Sequence, residues 1–114
     1  MSNIIKEQKL TCEKVKLVRV YTDDSKGHVT DMLEHLHKRG DVIGTTIFRG
    51  IAGFGGHGHI HQTQLLDLSS NLPIVIEFYH TSDKSAELIS FIHQRIENAH
   101  IISWDVDLSF EHID

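Results

Sequence analysis

Cysteine occurs once in this chain, at Cys12, which excludes an internal disulfide and a thiolate-cluster metal site and fits a reducing compartment. No apolar run approaches the ~20 residues that a membrane-spanning helix needs. The first fourteen residues mix Lys6, Glu7, Lys9 and Glu13 with isolated apolar residues and lack the continuous apolar core of a signal peptide. A soluble, cytoplasmic protein is therefore expected. Excess positive charge is also missing. A formal net charge of -5 and a pI near 6.0 give no basic field able to neutralise many phosphates, so nucleic-acid binding is not expected, although a few local cations could hold a small anion. No nucleophile, base and orienting group stand together either. Ser69 and Ser70 have no neighbouring histidine, Cys12 lies in the N-terminal arm, and Asp23-Asp24 reads as turn and cap residues rather than an acid/base pair. An enzyme is not expected.

What remains is one core's worth of apolar residues, 39% of 114, too few for two domains. Residues 1–14 read as a polar N-terminal arm and residues 15–114 as a single domain. Val15 to Tyr21 is rich in β-branched and aromatic residues and predicts the first strand, with Val18 and Val20 on the face opposite Val15, Leu17, Arg19 and Tyr21. Val29, Met32, Leu33 and Leu36 recur at helical spacing and predict a helix over 28–39, with Gly40 as its stop. Thr45 to Arg49 predicts the second strand and Leu72 to Tyr79 a central third strand, with the single proline, Pro73, tolerated at its start. Thr81-Ser82-Asp83 caps a second helix carried on Leu88, Ile89, Ile92 and Ile96. Ile101 to Leu108 closes the series as a fourth strand, before a polar tail over 109–114. The order is βαββαβ, an α+β ferredoxin-like arrangement with both helices on one face of a four-stranded antiparallel sheet. Val18, Val20 and their neighbours would then leave an apolar outer face, whose usual cover is another subunit.

Chemistry is concentrated between the second and third strands. Arg49 to His61 holds five of the eight glycines and three of the ten histidines. A connection this long in a small domain is commonly functional or disordered. Gly53, Gly55, Gly56 and Gly58 let the backbone approach a ligand and turn its N–H groups toward an anion, although no lysine follows to complete a P-loop spacing. A flexible hairpin tip is the alternative. Arg49 can pair bidentately with phosphate or carboxylate, or equally form an intersubunit ion pair with Glu77 or an aspartate; Arg19 and Lys16 are secondary cations. His57, His59 and His61 alternate, so an extended backbone puts them on one face, where a transition metal could bind; a solvated histidine loop is the alternative. His35, His37 and His93 are expected to be exposed on the helices, and Trp104 to lie in the core or an interface.

Arg49-Gly50, Gly53-Phe54-Gly55, Ile60-His61, Leu68-Ser69 and Leu72-Pro73-Ile74-Val75-Ile76-Glu77 resemble the signature of the bacterial and archaeal family called domain of unknown function 190 (UPF0166), which is related to the PII nitrogen-regulatory signalling proteins. Gly44-Thr45-Thr46-Ile47 and Gly58-His59 extend the likeness to the PII strand and T-loop base. The resemblance implies a PII-like homotrimer that requires no cofactor and binds a small-molecule effector, such as the adenine nucleotides AMP, ADP or ATP, between subunits. It also implies signalling to a regulated protein or membrane transporter. Carried over residue by residue, the ligand positions are Thr46, Gly53, Phe54 and Gly55, to which Arg49, Gly50 and His61 are added from the motif. Glu97-Asn98-Ala99-His100 is short and lacks the glycine and lysine of the phosphate-gripping PII loop, leaving a monophosphate, a diphosphate or a different anion open.

Overall fold

A computed structural model describes residues 9–23, 28–39, 43–53 and 73–112. Six elements follow in order: β1 (Lys9–Asp23), α1 (His28–Arg39), β2 (Ile43–Arg49), β3 (Pro73–His80), α2 (Ser82–Arg95) and β4 (His100–His112). The strands form one antiparallel sheet in the order β2-β3-β1-β4. This is the ferredoxin-like α+β order expected from the sequence.

The core lies between this sheet and the helices. Val18 and Val20 of β1 and Ile74, Ile76 and Phe78 of β3 meet Met32 and Leu36 of α1, Leu88 and Ile92 of α2, and Ile96 just after it, all at most 2% exposed. Each such side chain contributes about 1.5–3 kcal/mol by leaving water. Val18 and Val20 are thus the helix-covered face, not the outer one. Period-2 alternation separates two faces without saying which carries the helices. The pairing decides it, because Val18 stands opposite Phe78 and Val20 opposite Ile76. The outward face is Leu17, Arg19, Tyr21, Phe48, Val75, Glu77, Ile102 and Trp104, with Tyr21, Phe48, Ile102 and Trp104 exposed. Leu33, expected in the buried stripe of α1, is exposed as well, since it lies at the margin of a stripe that Val29, Met32 and Leu36 fill.

β1 and β4 run longer than their apolar patterns. β3 reaches β1 only as far as the Lys16–His80 pair, and beyond it Lys9–Val15 pair with Val106–His112 as a two-stranded ribbon of about 20 Å. Ion pairs cross it, with Lys14 Nζ 3.1 Å from Asp107 Oδ1 and, at the root, Lys16 Nζ 3.0 Å from Asp105 Oδ1. The hydrogen bond to Asp107 holds the Lys14 ammonium above its ordinary range.

Two local solutions were not visible in the sequence. Thr81 occupies the N-cap of α2, but its side chain does not cap; its backbone N–H instead donates to Nδ1 of buried His80 at 2.7 Å. In the turn after α2, Asn98 takes the left-handed conformation at φ 60°, one of the few non-glycine residues that does so readily.

Candidate functional site

The predicted site lies at one end of the sheet, where β1 and β2 finish and β3 and β4 begin. β2 delivers Arg49 and Gly50 there. Gly50 N–H donates to the Pro73 carbonyl at 2.7 Å, closing the two stems of the glycine-rich segment against each other. A Cβ at Gly50 would lie 2.7 Å from Pro73 Cγ, and one at Gly53 would lie 3.3 Å from it. Both glycines therefore let the chain pass over the proline ring, and Pro73 fixes where the segment leaves the sheet. Ile51, 82% exposed, and Ala52 continue outward.

Upstream, β2 carries an irregularity that sets its register. Gly44 has φ 58°, and a Cβ there would sit 2.6 Å from Tyr79 Cε1. Pairing with β3 shifts between Ile43 and Thr46, so this glycine lets the strand bulge under the Tyr79 ring. Beyond the bulge, Thr46 stands opposite Glu77 and Arg49 opposite Ile74. Thr46 and Arg49 are three residues apart on one strand, so they belong to opposite faces: Thr46 to the open face, Arg49 to the rim of the helix-covered face. One protomer's strand does not bring them together.

The open face holds a polar row across its apolar surface. Thr46, Glu77, Arg19 and Ile102 follow one another from β2 to β4. Arg19 Nε donates to Glu77 Oε1 at 2.7 Å, and its guanidinium lies 5.4 Å from the Trp104 ring centroid. Hydrogen bonds to Glu77 first, and to Tyr21, hold the Arg19 pKa above its ordinary value. Glu77 thus pairs with Arg19 of its own chain. Lys16, the other secondary cation, is engaged with Asp105.

Phe54, Gly55, His57, His59 and His61 lie outside the described residues, as does the stretch Gln62 to Leu68. Among the described residues no group of three His, Cys, Asp or Glu side chains is placed to hold a metal ion, and no helix is long and apolar enough to cross a membrane. Sequence reasoning missed three features near or beyond the site: the Pro73 clamp, the Arg19–Glu77 pair, and the burial of His80, whose Nε2 has no partner among the described residues. A charged residue at the same alternation on two neighbouring apolar strands was the available signal for the pair.

Comparison with known proteins agrees with this fold. The model of the family DUF190 (Uncharacterized ACR) matches residues 15–108. A UPF0166 protein of Aquifex aeolicus is 31% identical over 102 residues, covering 85% of this chain and 95% of its own. A UPF0166 protein of Methanocaldococcus jannaschii is 27% identical over 95 residues, covering 78% and 85%. Among solved structures, the apo form of CPII from Thiomonas intermedia K12, a nitrogen regulatory PII-like protein, superposes with a TM-score of 0.60 at 15% identity, over 90% of this chain and 99% of that one. CPII bound to ADP, AMP and bicarbonate superposes with a TM-score of 0.57 at 19% identity, over 90% and 92%. The fold is PII-like, and the chain belongs to the DUF190 (UPF0166) family.

Proposed function

We propose that this protein is a non-enzymatic PII-like sensor. It binds a small anionic effector, an adenine nucleotide, in clefts between the subunits of a homotrimer, and signals through residues 50–70 to a regulated protein or membrane transporter. The observation that carries this reading is the clamped base of the glycine-rich segment: Gly50 and Gly53 pass over Pro73, which pins a long, glycine-rich connection to a rigid sheet end. Successive glycine N–H groups can wrap an anion there, and Arg49 at the stem supplies a bidentate cation. That the PII-like protein CPII carries ADP, AMP and bicarbonate supports the choice of effector class.

The subunit boundary supplies the second half of the site. Thr46 and Arg49 lie on opposite faces of β2, so a ligand touching both must sit at the strand's end, in a cleft completed by a second copy. The exposed Tyr21, Phe48, Ile102 and Trp104 give the open face the apolar character that another copy would cover. Signalling then requires only that the effector bind the ordered segment more tightly than the free one, since a ligand shifts a conformational population by its differential affinity.

Calorimetry with AMP, ADP, ATP and cyclic AMP, with and without bicarbonate, tests the reading. Saturable heat with at least one nucleotide is expected, and no heat at millimolar ligand removes the nucleotide. The alternating His57, His59 and His61 favour a second reading, a transition-metal site. Elemental analysis of chelator-free protein, beside the variant with all three changed to Ala, separates the two.

A further inference from the structure

His35, on the inner flank of α1, meets two groups with opposite demands at one ring nitrogen. Its Nε2 lies 2.8 Å from Nη1 of Arg95 in the last turn of α2 and 3.5 Å from Oδ1 of Asp31, one turn earlier in α1. A guanidinium has only donors, so the Arg95 contact is a hydrogen bond only when Nε2 is bare and the ring's proton sits on Nδ1. A carboxylate has only acceptors when ionised, so the Asp31 contact needs a proton on Nε2. The two bonds exclude each other, and the distances select the first. We propose that His35 is a proton-operated clasp between α1 and α2, closed on Arg95 when neutral and transferred to Asp31 when protonated.

The surroundings make the two positions distinct. Phe91 of α2 lies against the imidazole edge-on, with centroids 5.8 Å apart. The Arg95 and Arg39 guanidinium carbons lie 4.8 and 5.9 Å from the centroid of that same ring. Glu87 holds Arg39 at 3.5 Å and Lys84 at 3.7 Å. The charged groups around His35 are therefore Asp31 and Arg39 from its own helix, and Arg95 and, through Arg39, Glu87 from α2. A proton on Nε2 turns Arg95 from a partner into a like charge within hydrogen-bond distance and leaves Asp31 as the available acceptor. The sign follows: the Arg95 bond belongs to the neutral ring and is lost as falling pH puts a proton on Nε2, while the Asp31 contact grows.

The clasp has a place to act. Arg95 belongs to the final turn of α2, and Ile96 to Ala99 then lead directly into β4 at the sheet end from which the glycine-rich segment departs. Acid frees that turn from α1. The inference stands on the two helices alone and holds whether or not the effector is a nucleotide.

Nitrogen-resolved NMR on the full chain tests it, following the His35 imidazole and the Arg95 guanidinium between pH 8 and pH 5. At pH 8 the wild-type ring is expected to carry its proton on Nδ1, with Arg95 N–H signals protected from exchange; these signals should disappear in step with His35 protonation. His35→Gln, which can accept from Arg95 but does not titrate, should make the Arg95 signals independent of pH. Arg95→Ala should abolish the preference for the Nδ1 proton. A neutral wild-type ring protonated on Nε2, or Arg95 signals unchanged across the range, overturns the proposal.

Discussion

Gly44 and Gly50 each answer to a neighbour far away in the chain, and His80 to the residue beside it. At Gly44 any side chain meets both a left-handed backbone and the Tyr79 ring, so Gly44→Ala is expected to cost about 1 to 3 kcal/mol, read as a lower midpoint in urea. Gly50→Ala must displace the Pro73 ring, a clash of overpacking that also costs about 1 to 3 kcal/mol. The two differ in consequence: Gly44→Ala should weaken the fold and leave effector affinity in the folded fraction, whereas Gly50→Ala should weaken affinity beyond its effect on stability. His80 joins both ends of a small polar puzzle, with Nδ1 accepting from Thr81 N–H and Nε2 buried without a described partner. Asn keeps an acceptor close to the main chain and removes the orphaned donor. His80→Asn should therefore retain more stability than His80→Ala, which opens a cavity and costs about 2 to 4 kcal/mol by chemical denaturation. The sequence marked Gly50 and Gly53 as special for ligand approach, but their packing over Pro73 was not legible, because that proline stands some twenty positions on. The ion pair Arg19–Glu77 left only the faint signal of a charge on each of two apolar strands, and the contact His35–Arg95 none, since residues 58 and 60 positions apart meet only once register and helix packing are set.

Elements were easier to read than their surroundings. Helix α1 matches its apolar spacing residue for residue in extent, because Val29, Met32 and Leu36 impose a strong 3.6 period. β3 and α2 agree within one residue at their shared boundary, because an apolar run ends there and the cap residues Thr81-Ser82-Asp83 follow. β1 and β4 instead outrun their apolar runs by several residues, since the ribbon beyond Lys16 is held by main-chain bonds and cross-strand ion pairs that carry no hydrophobic pattern. Exposed ion pairs of this kind contribute little. Amide exchange should accordingly grade along β1, with residues 10–14 exchanging far faster than Val18 and Val20 under conditions where the sheet stays folded. Uniform protection from Lys9 to Asp23 would contradict a weakly held ribbon.

The molecule is a two-layer domain with helices over one sheet face and an apolar, partly charged surface on the other. That the second face carries apolar side chains was legible, but its identity was inverted, because Val18 and Val20 and the set Leu17, Arg19 and Tyr21 satisfy the same alternation. If copies assemble through this face, Ile102→Lys with Trp104→Lys should convert a trimer into protomers in sedimentation velocity without unfolding them, since neither side chain is part of the core. Wild-type protein sedimenting as a protomer would remove the subunit clefts and the site with them. The most direct test of the central claim is hydrogen exchange across residues 50–72 of the wild-type protein, with and without millimolar ADP. Slowed exchange confined to that segment and to the strand ends around Arg49 and Pro73 is the result expected of a clamped glycine segment that receives a nucleotide. Identical exchange with and without ADP would contradict it.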